Sequence, residues 1–63
     1  MNEKIRREAK AARVPLWEIA AQIGISEPTI TRWMRSELNE EKKAMILDAI
    51  SEILQKRINS VAN

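Results

Sequence analysis

The sequence predicts an all-α domain of four to five helices, the last of them long. Three observations carry that expectation. The 63-residue chain has one glycine and two prolines, and it is rich in Ala, Glu, Lys, Arg, Ile and Leu, which favour helix and leave few turn signals for strands. Its apolar residues recur at helical spacing. From Glu40 onward no glycine or proline interrupts that spacing. A chain this short forms one domain, 1–63, near the lower size limit for folding on a single apolar core.

The first helix is expected over Glu3 to about Arg13, with Asn2 as N-cap. Ile5, Ala9 and Ala12 share one face, Val14 lies just beyond, and Lys4, Arg6, Arg7 and Lys10 form a basic outer face read as solvated. The second helix is expected from Pro15 to Ile23, because proline is tolerated in a first helical turn. Gly24 stops it, since a chain leaving a helix usually passes through the left-handed region, where glycine has no Cβ to clash. Ser26 is then the N-cap of a third helix over Glu27 to Arg35, and Pro28 fits only near that start.

Ile19, Ala20 and Ile23 form one inward stripe, Ile25 follows the turn, and Ile30, Trp33 and Met34 form the stripe that packs against it. Ala20 is small at the expected closest approach of the two axes. Leu16 to Arg35 (16–35) therefore reads as a helix-turn-helix. Trp33 is expected in the core. Trp17 lies one residue off the apolar stripe and is expected to pack on the final helix, the alternative being exposure for a partner.

After a connection at Ser36 to Leu38, Asn39 caps the final helix, about 40–60, and Glu40 and Glu41 complement the positive end of its dipole. Only its first half is expected to cover the core. The second half then projects, and Leu54, Ile58 and Val61 recur at four and three residues, the spacing of a seam between helices, so that with Ile53 they offer a homodimer contact. A frayed tail is the alternative.

The net charge of +2 is small, but it is unevenly placed. Met1 to Ser36 holds Lys4, Arg6, Arg7, Lys10, Arg13, Arg32 and Arg35 against four glutamates, a net of +3, and the remainder has a net of −1. The basic part contains the helix-turn-helix, as binding to phosphates requires. With no cysteine and no histidine, disulfides, thiolate chemistry and the usual zinc sites are excluded, so no metal or cofactor is expected. The scattered carboxylates assemble no acid/base pair, and the chain is not read as an enzyme. Nothing indicates a small-molecule ligand. MNEKIRREAK has no apolar h-region, so neither signal peptide nor membrane span is read and a cytoplasmic location is expected.

With these residues in view, the chain resembles the phage repressor and Cro-type helix-turn-helix family of bacterial, plasmid and phage regulators, which have a lambda-repressor-like fold. Ile19, Ala20, Ile23, Gly24, Ile25, Ile30 and Trp33 match the family's framework positions. It is most similar to short stand-alone regulators of Gram-positive phages and mobile elements, in which LWEIA and GIS-type segments precede an acidic-start fourth helix. The resemblance implies sequence-specific binding of double-stranded DNA, usually as a dimer on an operator, to regulate transcription.

Carried over by position, Ser26, Glu27, Pro28, Thr29, Thr31, Arg32 and Arg35 fall on or beside the groove-facing part of the recognition helix, 27–35. Arg32 is the candidate for direct base reading, Arg35 for phosphate at the helix end, and Thr31 for a base. Ser26 and Thr29 suit phosphates, Glu27 suits cytosine N4 or the helix dipole, and Arg13 suits a phosphate near the first junction. Two departures stand out. Leu16 and Trp17 occupy a place where the family often has a polar, phosphate-binding residue, and Ala9 with Met34 replace a polar pair that often ties the first helix to the third. The competing reading is a protein-binding module that keeps the fold, such as an antirepressor, an antitoxin or an accessory subunit.

Overall fold

A computed structural model of the chain describes residues 2–62, and the side chains of residues 2–59. Among the described residues there are four helices and no strand: α1 (Glu3–Ala12), α2 (Leu16–Ile23), α3 (Glu27–Trp33) and α4 (Glu40–Ala62). The fold is all-α with a long C-terminal helix, as expected. At about 1.5 Å per residue, α4 alone spans about 34 Å. No helix among the described residues is long and apolar enough to cross a membrane.

α1 ends one residue early. Arg13 takes the left-handed conformation, φ 56°, and the Val14 N–H donates to the Ala9 carbonyl at 2.9 Å, which turns Val14 into the core. α2 begins at Leu16, one residue after the expected start, because Pro15 is extended and its carbonyl accepts from Glu18 and Ile19 N–H groups at 3.1 and 3.3 Å. Pro15 is thus the N-cap. α2 stops where glycine predicts: Gly24 has φ 92°, and the Gly24 and Ile25 N–H groups both donate to the Ala20 carbonyl, at 2.8 and 2.9 Å. Any side chain at residue 24 would strain that turn.

Ser26 caps α3, accepting the Thr29 N–H at 3.3 Å, with Pro28 in the first turn. α3 ends at Trp33, two residues before Arg35, as Arg35 and Ser36 N–H groups step back only three residues to Arg32 and Trp33 carbonyls. Asn39 caps α4, its Oδ1 accepting the Lys42 N–H at 2.8 Å.

The core joins Ile5, Ala9, Val14, Ile19, Ala20, Ile30, Met34 and Leu38 to Ile46, Ala49, Ile50 and Ile53 of α4. Ile23, Ile25 and Trp33 are partly buried against it. Trp33 is not enclosed; the Lys42 ammonium stands 4.7 Å from its ring centroid, and that cation covers part of what the core leaves open.

Three expectations about α4 and its neighbours are corrected. The helix covers the core past its midpoint, since α1 and α2 both pack against it and its buried residues run as far as Ile53. Ile53 is 3% exposed, so it is buried in its own chain and unavailable to a second copy. Leu54 is partly buried, Ile58 is 61% exposed, and the Val61 side chain lies outside the described residues. Trp17, expected to pack on α4, is 59% exposed. α2 meets α4 through Glu18 and Gln22, which bond Arg57, Glu52 and Lys56, and a helix turns about 100° between Trp17 and Glu18, carrying the indole off that contact.

Candidate nucleic-acid interface

α3 buries Ile30 and leaves the opposite side of a short helix open to solvent. Glu27, Pro28, Thr31, Arg32 and Arg35 are all exposed and line one shallow groove. The order follows from the helical period for Pro28, Thr31 and Arg32, which recur at three and four residues and so share a face, while Arg35, two residues past the end of α3, reaches the same groove from the tightened turn that follows it. Ser26 and Thr29 stand at the start of this face, where their hydroxyls bond each other at 2.7 Å and close the cap. Their shown role is structural. Arg13, on the α1–α2 junction, does not line the groove; its side chain is exposed and its carbonyl accepts from Arg57 Nη2 at 3.3 Å.

The electrostatics separate the chain's cations into two groups. Every ion pair among the described residues uses a cation of α4: Lys43 with Glu37 and Glu40, and Arg57 with Glu18. Lys56 donates to Gln22 Oε1 at 2.7 Å and Lys42 lies over Trp33, so each cation of α4 is engaged within the chain. By contrast, none of Lys4, Arg6, Arg7, Lys10, Arg13, Arg32 and Arg35 has a carboxylate within 4.0 Å among the described residues. A guanidinium presents five N–H donors in a planar fork. On the α3 groove two such forks, Arg32 and Arg35, stand beside the Thr31 hydroxyl with their donors free, a surface suited to anionic oxygens and to base edges.

What holds the C-terminal end of this helix was not legible in the sequence. Asn2, expected to cap α1, makes no side-chain cap there. It takes φ 57° and is 4% exposed. Its Nδ2 donates to the Met34 and Ser36 carbonyls at 3.3 and 2.8 Å, and its Oδ1 accepts the Leu38 N–H at 3.1 Å. Two donors and one acceptor on a residue that tolerates the left-handed region describe asparagine and little else. Arg6, read as part of a solvated face, also donates to the Met34 carbonyl, from Nη2 at 3.2 Å. The tie between α1 and α3 that Ala9 and Met34 lack as side chains is therefore made to backbone by Asn2 and Arg6.

Comparison of the chain with protein-family models, with curated proteins and with solved structures gave no match.

Proposed function

We propose that the protein binds double-stranded DNA in a sequence-specific manner, with α3 in the major groove, and regulates transcription in a phage or mobile element. The observation that carries this reading is the exposed α3 face with its unpaired guanidiniums, next to the engaged charges of α4. Arg32 donates a bidentate pair to guanine O6 and N7, Pro28 and Thr31 offer apolar contact to a thymine methyl, and Arg35 neutralises a phosphate. The resemblance to phage repressor and Cro-type regulators supports the transcriptional role. Ile58, exposed near the end of α4 beside the partly buried Leu54, supports pairing of two copies on an operator.

The test is selection of bound duplexes from a randomised pool at moderate salt. An enriched sequence with affinity well above that for bulk duplex supports the proposal, and for a dimer its half-sites fall about 34–36 Å apart or at a multiple of that. Recovery of no enriched sequence rejects it. One observation favours the second reading, a protein-binding module: Trp17 is a large aromatic side chain that the fold leaves 59% exposed.

A further inference from the structure

We propose that Arg6 of α1 is a phosphate-binding residue that extends the duplex-binding surface beyond α3. The inference rests on the DNA-binding reading. Arg6 is exposed, has no carboxylate within 4.0 Å among the described residues, and is moored by Nη2 on the Met34 carbonyl at 3.2 Å. Met34 immediately precedes Arg35, so the guanidinium stands at the end of α3 that carries a second free cation. One bond to Met34 leaves most of the fork's donors unused.

Mooring also lowers the entropy lost when a long side chain is immobilised on a partner. A carbonyl cap alone asks for one donor and no second function. Here the capping atom belongs to a permanently charged group held at the margin of a surface rich in free cations. Arg7 provides the contrast: it follows Arg6 by about 100° of helical rotation, is exposed, and makes no side-chain hydrogen bond among the described residues.

The experiment measures affinity for a selected duplex, or for bulk duplex, against salt concentration for the wild type, Arg6→Gln, Arg6→Lys and Arg7→Gln, each checked for helicity. Loss of one phosphate contact lowers the log–log salt slope by about 0.9. Arg6→Gln is expected to show that fall, with Arg6→Lys and Arg7→Gln keeping the wild-type slope. A purely structural Arg6 weakens binding or folding in both Arg6 variants without changing the slope, and that result overturns the inference. An equal fall in Arg7→Gln also overturns it, by reducing the effect to net charge. If the wild type shows no salt-dependent duplex binding, the DNA-binding reading itself fails, an outcome distinct from failure of Arg6 alone.

Discussion

The two charged sides of this small core use the same residue types for opposite ends. On the α2–α4 side, Arg57 donates to the Ala12 and Arg13 carbonyls and to Glu18 at 3.0, 3.3 and 2.8 Å, while Gln22 bridges Glu52 and Lys56. On the α1–α3 side, Arg32 and Arg35 are exposed with no carboxylate partner among the described residues. The first arrangement closes its electrostatics inside the chain and adds cohesion between helices. The second leaves donors available to an external anion. Net charge, at +2, conceals this division, because what matters to a polyanion is where the unneutralised cations lie.

The largest expected effect comes from the residue that anchors the open side. Asn2→Asp exchanges two donors for an oxygen that faces the Met34 and Ser36 carbonyls, while Leu38 keeps its acceptor. Leaving buried polar groups unpaired costs about 1–3 kcal/mol each, so a loss on the order of 3 kcal/mol is expected. In a domain of this size that lowers the melting temperature by roughly 12–24 °C. A variant that melts with the wild type would show that the clamp contributes nothing.

Next in size is Arg32→Ala. It removes an exposed side chain with no ion-pair partner among the described residues, so thermal unfolding is expected to stay within about 0.5 kcal/mol of the wild type. Binding to the selected duplex should weaken by about 1–3 kcal/mol, with relaxed preference at one base pair. Unaltered duplex binding would break the contrast between the two sides and shift weight to the protein-binding reading.

The smallest effect is expected from Arg57→Ala on the closed side. Exposed ion pairs contribute little singly, and loss of this one with its two carbonyl bonds should destabilise the fold by about 1 kcal/mol. The salt slope of duplex binding should not move. A changed slope in this variant would mean that the α4 cations, although engaged within the chain, also meet the DNA.

Much of the candidate site could be read from local rules. Gly24 and Ser26 set the turn and the cap by chemistry that depends on their own backbone, and the period of 3.6 residues puts Pro28, Thr31 and Arg32 on one face once Ile30 is known to point inward. Helix ends were read less well. Pro15 differs by one position because an N-cap and a first helical residue tolerate proline for related reasons, and α3 ends at Trp33 because its last turn tightens, which no single residue type signals. Arg6 and Asn2 escape local rules for another reason: their partners are 28 residues away for Arg6 and 32 to 36 residues away for Asn2. Local spacing carries no information about such pairs.

The sequence by itself determined that the protein is helical, where its central turn lies and which side of α3 faces outward, since these follow from dihedral preference and periodicity within a few residues. Tertiary structure alone decided which charges are neutralised, that Ile53 is enclosed and Trp17 is not, and that Asn2 clamps the exit of α3 instead of capping α1. Those outcomes depend on how helices rotate and slide against one another in three dimensions, because burial and pairing belong to contacts between elements rather than to any one of them.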